Sequence, residues 1–299
     1  MKILAAVVTY NRCDLLKRCI NHLEQQTTAP DEILVVDNGS SDDTIDFLKK
    51  KKINYIAQEN LGSAGGWYKS IEYSIEKNFD YVWLMDDDGY PEKKALNKLI
   101  NNFKKEYSCI SSIVIDENNH SKLVFPMPLK INNRYMKYEF PFFKIRNYKY
   151  FIQNNITHYN FCHLFNGALL RVSDLQNIGN INKDYFLYGD EVDYYFRLIN
   201  IGELMTLVNC IHYHPTRSNA NISTTWVFYA LKNTIINNFK YRKFPNFFNF
   251  IAIILFPVRI LFRNGFKELI SYIFGNNSKF YYKAIKLGYT KSIGKNKPS

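Results

Sequence analysis

The chain has 299 residues, 46% of them hydrophobic, which is enough to build the core of one large domain or of two small ones. Five scattered cysteines (Cys13, Cys19, Cys109, Cys162, Cys210) without C-x-x-C spacing argue against a disulfide framework or a zinc site and for a reducing compartment. The net charge of +12 is uneven: residues 240–299 hold twelve Lys or Arg and a single acid, Glu268, so the basic excess belongs to the tail.

In chain order, residues 3–8 form a short apolar run without a cleavage signature and are expected to be a first strand rather than a signal peptide. Residues 14–26 carry apolar side chains at helical spacing, 32–36 read as a second strand ending in Asp37-Asn38-Gly39-Ser40, 44–52 as a short helix, and 54–57 as a third strand. A loop with Asn60, Gly62, Gly65 and Gly66 then opens a helix over 67–77, and 81–85 is a fourth, buried strand. This alternation implies βαβ units and a mainly parallel sheet, whose polar loops gather on one edge as a nucleotide-sized crevice.

The fourth strand runs straight into Asp86-Asp87-Asp88-Gly89. Asp86 and Asp88, two apart on a chain turning off a strand, can reach one cation, and hard oxygen ligands suit Mg²⁺ or Mn²⁺ shared with substrate phosphates; the alternative is a polar turn. A helix is expected over 91–106 with Pro91 at its start, and a strand over 109–115. Residues 121–155 dissolve into aromatic, proline-punctuated and basic sequence, either a lid or acceptor loop or a plain surface excursion.

Order returns at 163–170. Asp190, Glu191 and Asp193 then open a helix running to about residue 201, a strand over 204–211 leads into His212 and His214, and 225–239 is helical. Glu191 in a first helical turn is favoured as a carboxylate and can act as a base; equally, the three acids could merely cap the helix. Either histidine could complete a metal site or position a phosphate. Asp37 could accept from a nucleobase N–H or begin an Asx-turn, and the glycines allow close backbone approach. In the tail, residues 244–258 are uncharged and mostly apolar but fall short of the roughly 20 needed to cross a bilayer. With the neighbouring Lys and Arg they fit either a helix lying in the headgroups of an anionic membrane or a C-terminal helix packed on the domain.

Taken together, Val7-Val8-Thr9-Tyr10-Asn11-Arg12, Val35-Val36-Asp37-Asn38-Gly39-Ser40, Asn60-Leu61-Gly62-Ser63-Ala64-Gly65-Gly66, the Asp86–Asp88 run, and Gly189-Asp190-Glu191-Val192-Asp193 with Arg197 cover most of residues 3–235 in order. In these motifs the chain resembles glycosyltransferase family 2, inverting enzymes of the GT-A fold that use nucleotide-sugar donors. Within that family it most resembles bacterial galactofuranosyltransferases and their rhamnosyltransferase relatives. Gly65-Gly66-Trp67 and Met85-Asp86-Asp87-Asp88 favour the galactofuranosyl side. The resemblance implies an α/β GT-A domain over 1–240, with a donor half of about 1–115 and an acceptor half of about 156–240; composition adds a basic, amphipathic, membrane-associating tail over 241–299.

It further implies donor contacts at Thr9, Tyr10, Arg12, Asp37, Asn60, Gly62, Gly65, Gly66, Trp67, Asp86 and Asp87. Metal ligation falls to Asp86, Asp88 and His214, the last preferred over His212 because Ser218 follows it at the family spacing. Catalysis falls to Glu191 with Asp190 and Asp193, and acceptor contacts to Asn166, Gly167 and Arg197. The family usually has Asp where Glu191 stands, often Arg-Asn where Lys232-Asn233 stand, and in some members a tryptophan pair where this chain has Phe165-Asn166-Gly167.

The expected function is metal-dependent transfer, with Mn²⁺ or Mg²⁺, of galactofuranose from UDP-galactofuranose to a lipid-linked or growing cell-surface saccharide. The expected place is the inner face of the cytoplasmic membrane, against an anionic surface. A rhamnosyltransferase using dTDP-rhamnose is the near alternative. A phosphatase of the haloacid dehalogenase type would share D-x-D-G, but here Tyr90 follows and the motif ends the fourth strand. A basic nucleic-acid-binding protein or an inactive sugar-nucleotide binder are more distant readings; no nucleic-acid motif accompanies the basic residues, and the acids are intact.

Overall fold

The computed structural model describes residues 1–131, 134–135, 144–216 and 221–296. The chain forms two compact units that interleave in sequence: Met1–Asn60, Gly66–Asn180 and Arg197–Arg217 in the first, and Leu61–Gly65, Ile181–Phe196 and Ser218–Ser299 in the second. These units do not follow the 240/241 boundary drawn from composition.

The first unit opens as its periodicity requires, with β1 (Ile3–Thr9), α1 (Cys13–Glu24), β2 (Glu32–Asp37), α2 (Thr44–Lys51) and β3 (Asn54–Ala57). The next helix, α3 (Gly62–Glu76), begins five residues before the expected position 67, so the glycine run is its first turn and not a loop; the unit boundary falls after Gly65. β4 (Tyr81–Asp86) follows. β1 lies between β2 and β4 and is parallel to both, which places the switch in strand order between β1 and β4. Thr9 is in register with Asp37, and Val8 with Asp86, so three candidate site residues or their neighbours reach the same C-terminal sheet edge.

Beyond β4 the chain departs from simple alternation. Tyr90–Pro91 is a short strand, β5, and the helix α4 covers only Ala95–Asn102. The expected helix start at Pro91 is therefore corrected: His212 and Tyr213 pair with Pro91 and Tyr90, and this pairing outweighs the local preference of proline for a first helical turn. β6 (Tyr107–Asp116) and β7 (Asn119–Pro128) form an antiparallel pair. The two-residue strands β8 (Lys130–Ile131) and β9 (Arg134–Tyr135) pair with one another. β10 (Lys144–Asn147) returns to β7 and α5 (Lys149–Gln153) follows, so β7 and β10 extend the main sheet while β8 and β9 form a separate two-stranded one.

β11 (His158–Tyr159), β12 (Asn166–Arg171) and α6 (Val172–Ile178) lead to a 3-10 turn at Lys183–Tyr185 and to α7 (Asp190–Leu198), which stops three residues before the expected 201. β13 (Glu203–His214) runs parallel to β6. The main sheet order is β10-β7-β6-β12-β4-β1-β2-β3, parallel from β3 to β4 and mixed beyond. The strands bury one face against α1, α2 and α4 through Ile3, Val7, Val35, Trp83 and Met85 packed on Leu16, Ile20, Leu48, Leu96 and Leu99. Each such fully buried side chain contributes about 1.5–3 kcal/mol.

In the second unit α8 (Thr224–Tyr241), capped by the Ser223 hydroxyl accepting from Trp226 N–H, joins α9 (Pro245–Asn264), α10 (Phe266–Ile273) and α11 (Ser278–Tyr289) around a core that includes Phe228, Leu231, Ile235, Phe256, Ile260, Tyr272 and Ala284. α9 runs 20 residues, five more than the uncharged run, because Pro257 does not end it. Proline at 257 cannot donate to the carbonyl four residues back, and that Ile253 oxygen accepts from the Tyr281 hydroxyl at 2.7 Å instead. By length and composition α9 is long and apolar enough to cross a membrane.

Candidate active site

In the first unit the acids after β4 are held by cations and hydroxyls from two other segments. The Thr9 hydroxyl donates to Asp87 at 2.7 Å, and Arg12 Nη1 donates to Asp87 at 3.1 Å and to Asp88 at 2.9 Å. Arg18 donates to the Asp88 backbone oxygen and to Glu117, both at 2.8 Å, while its guanidinium lies over the Tyr90 ring. Asp87 is buried; burial raises its carboxyl pKa above the usual range, and Arg12 and Thr9 only partly offset this. Burial also pushes Asp88 up, but His214 and Arg12 outweigh it and hold the group below the usual range. Arg12 is itself desolvated, yet the facing carboxylates strengthen its charge. Asp87 is thus a buried anchor for Thr9 and Arg12, where a donor contact was expected.

His214 and His212 have different fates. The His212 ring is fully buried between Gly89 and Gly167: a Cβ at Gly89 would stand 2.2 Å from its Nε2, and one at Gly167 3.0 Å from its Nδ1. Burial, then the neighbouring His214, lowers its pKa to about 3, so it is neutral packing. Gly167, at φ +83 on a β12 bulge, makes room for that ring. His214 points at Asp88, with Nε2 3.2 Å from Oδ1.

His214 Nδ1 lies 2.8 Å from the Pro215 carbonyl, which can only accept, so Nδ1 carries a proton and Nε2 is the nitrogen that faces Asp88. Asp88 Oδ1 is buried with no hydrogen-bond partner. Two lone-pair donors facing one another fit a hard divalent cation, with the histidine oriented through its other nitrogen as metal-bound histidines are. Asp86, the expected third ligand, ends β4, and its charge acts on Arg12, the arginine that also holds Asp87 and Asp88. Among the described residues no group of three or more His, Cys, Asp or Glu could hold a metal ion by themselves. Ser218 lies outside the described residues.

The remaining donor-side residues divide sharply. Asp37, buried at the end of β2, accepts from the Ser40 backbone N–H at 3.1 Å and from the Ser40 hydroxyl, so it shapes its own turn, as the Asx-turn alternative had it. Tyr10 is exposed. Gly66 lets α3 approach β1: a Cβ there would meet Val8 Cγ1 at 2.4 Å and Asn38 Nδ2 at 3.2 Å. Gly65 likewise has no space for a Cβ, which would stand 2.3 Å from that of Leu61. Asn60 is half-buried just before the helix. Trp67, expected among the donor contacts, is fully buried and stacks on Phe165 with ring centroids 4.4 Å apart; it is core.

On the acceptor side, Asn166 is buried in β12 with its Oδ1 unpartnered. Arg197, expected to contact the acceptor, instead donates to the carbonyls of Ile178, Gly179 and Asn180 at 3.1, 3.2 and 2.9 Å and fastens the end of α6.

In the second unit three acids open α7. Asp193 is buried and its Oδ1 accepts from Lys240, from the Tyr241 hydroxyl at 2.7 Å and from the Tyr185 hydroxyl at 3.4 Å. That occupancy makes it a structural anchor rather than a catalytic carboxylate. Asp190 is buried with its Oδ2 unpartnered; desolvation, then the charge of Glu191, raises its pKa to about 7. Glu191 is partly exposed, and at the helix N-terminus the dipole favours its ionised form.

The loop leading to Glu191 is unusual. Phe186, Tyr188 and Gly189 all have positive φ (64°, 60° and 90°). Two asparagines of α8, one turn apart, hold it there. Asn233 Nδ2 donates to the carbonyls of Tyr185, Leu187 and Tyr188 at 3.1, 2.9 and 2.7 Å, and Asn237 Nδ2 to Gly189 at 2.8 Å. The Phe186 oxygen in turn accepts from Ala64 N–H at 3.2 Å, and Gly62 sits where a Cβ would come within 2.0 Å of that same oxygen. Asn233 and Asn237 were not singled out as site residues. Two asparagines spaced i, i+4, and so on one face of the helix, are the signal that could have found them.

Parallel strands around a switch point, with an acidic turn at their C-terminal edge, make a nucleotide-binding α/β frame. Residues 5–179 match glycosyl transferase family 2, and the chain belongs to that family. It is 30% identical to galactofuranosyltransferase GlfT1 of Mycobacterium tuberculosis (strain ATCC 25618 / H37Rv) over 225 residues, 73% of this chain and 71% of that protein. It is 26% identical to GlfT1 of Mycolicibacterium smegmatis over 217 residues, 71% and 70% of the two chains. Among solved structures, S. aureus TarS 1–349 in complex with UDP matches with a TM-score of 0.53 at 15% identity, over 98% of this chain and 73% of that one. The mannosyltransferase PcManGT from Pyrobaculum calidifontis in complex with GDP-Man and Mn²⁺ matches with a TM-score of 0.53 at 12% identity, over 97% and 86%. At these identities the two structures establish the fold.

Proposed function

We propose that this glycosyltransferase is an inverting galactofuranosyltransferase, taking galactofuranose from UDP-galactofuranose and adding it to a lipid-linked or growing cell-surface saccharide. The observation that carries the proposal is the Asp88–His214 pair at the sheet edge, a carboxylate oxygen and an imidazole nitrogen 3.2 Å apart beside an arginine that holds both Asp87 and Asp88. Similarity to GlfT1 over 73% of the chain supports the choice of donor sugar.

Asp88 and His214 would hold Mn²⁺ or Mg²⁺ jointly with the donor diphosphate. When bound, that ion offsets the negative charge gathering on the departing diphosphate. Arg12 holds the Asp87–Asp88 turn in place. A Glu191 carboxylate oxygen takes the proton of an acceptor hydroxyl as the hydroxyl oxygen bonds to the anomeric carbon. The anomeric carbon–oxygen bond to UDP breaks on the opposite face, its electron pair leaves with the diphosphate, and the configuration inverts without a covalent sugar–enzyme intermediate.

Donor hydrolysis by the purified chain with Mn²⁺ tests the choice of donor. Release of UDP from UDP-galactofuranose, but not from UDP-galactopyranose and with no hydrolysis of dTDP-rhamnose, is expected. Preferential turnover of dTDP-rhamnose would assign the chain to the rhamnosyl side.

A further inference from the structure

α9 and α10 carry a face that the rest of the second unit leaves bare. On α9 the exposed side chains Phe247, Phe250, Ile254, Val258 and Leu261 recur every three or four residues, and Phe262 is 82% exposed. On α10 and the residue just past its end, Phe266, Ile270 and Phe274 recur every four, with Phe274 80% exposed. Contiguous apolar surface of this kind marks an interaction site. The opposite stripe of α9 (Asn249, Ala252, Phe256 and Ile260) is buried.

The structure assigns this face to an anionic lipid leaflet, with α9 lying in the plane of the headgroups and not crossing the bilayer. Charge complementarity selects the partner. Lys243, Arg259, Arg263 and Lys267 are exposed beside the apolar stripes, and Glu268 is the lone acid of the tail. Such cations favour anionic headgroups and disfavour a second copy of the same face.

Packing selects the orientation. The buried stripe of α9 shares its core with α8 and α11, and α11 exposes Lys279, Lys283 and Lys286. A helix packed on α8, which in turn packs on the lysine-bearing α11, cannot be surrounded by hydrocarbon unless those amines enter as well, which is strongly unfavourable. A helix with one apolar and one protein-packed side instead settles about 5–10 Å into the headgroup–acyl boundary. The length of α9, which by itself would permit crossing, therefore does not decide its orientation.

The test uses the full chain and vesicles of phosphatidylethanolamine with or without phosphatidylglycerol. Binding should require phosphatidylglycerol and weaken as salt rises. Arg259→Ser with Arg263→Ser should lower partitioning about fivefold per charge removed. Phe262→Glu with Phe266→Glu should lower it by roughly tenfold or more per residue, with Tm unchanged because both rings are exposed.

All five native cysteines are buried, so spin labels at Phe247→Cys, Ile254→Cys and Leu261→Cys report those sites alone. A common shallow depth is expected at all three. A graded profile with position 254 deepest would mean a spanning helix and overturn the assignment. So would equal binding to neutral vesicles, no binding to either vesicle, or self-association through this face. The inference rests on this surface and not on the proposed donor: UDP affinity in solution reads the donor site, so the two can fail separately.

Discussion

His214 Nε2 stands 3.2 Å from Asp88 Oδ1 while its other ring nitrogen is committed to the Pro215 carbonyl. A shared proton or a bound cation can join such a pair. The strands place it: β13 carries His214 alongside β6, and β4 delivers Asp88 one turn past the sheet edge.

Asn233 should matter to catalysis more than to donor binding. Asn233→Ala removes one amide that serves three carbonyls of the loop before Glu191. A loss of about 2–3 kcal/mol in urea unfolding is expected. Transfer to an acceptor should fall at least tenfold while UDP affinity stays within about twofold, because Glu191 loses its position and the donor contacts do not. Asn233→Asp, which cannot donate, should behave no better than Ala.

The glycines of α3 make a graded prediction. Gly62→Ala meets a backbone oxygen at 2.0 Å and sits at φ +72, so neither sterics nor backbone accommodates it; a loss of about 3 kcal/mol or more is expected. Gly66→Ala meets the stiff branch of Val8 at 2.4 Å and should cost about 1–3 kcal/mol. Denaturant midpoints at constant slope read both.

Asp190 should make stability pH-dependent. Its folded pKa is raised from 3.8 to about 7, so the native state binds the proton more tightly than the unfolded chain does. Its contribution is complete below about pH 4 and is lost as pH rises towards about 7, by up to ~4 kcal/mol. The difference in unfolding free energy between wild type and Asp190→Asn should move against wild type across that window. An unchanged difference from pH 4 to 7 would mean that Asp190 titrates normally.

How much of this was legible in the sequence follows from how local each signal is. β1 to β4 announce themselves because each buried strand is apolar and ends in polar residues. The start of α3 was hidden because glycines are poor helix formers; Ala64 bonded to the Phe186 oxygen holds that turn. Pro91 was misread because its strand partner lies some 120 residues away in β13. Trp67 and Arg197 look like ligand-binding residues by type, yet ring stacking on Phe165 and three carbonyls absorb them. Asp88 and His214 were paired by resemblance, while the separation of His214 from His212, which share one face of β13, needed their surroundings: His212 packs against Gly89 and Gly167, and His214 faces Asp88.

The central claim is a metal-assisted donor site built on Asp88 and His214, and calorimetric titration of UDP in the presence of Mn²⁺ tests it most directly. UDP should bind with Mn²⁺ and lose at least about tenfold in affinity on chelation, in Asp88→Ala and in His214→Ala. The same UDP affinity with and without chelator, and in both variants, would contradict the account.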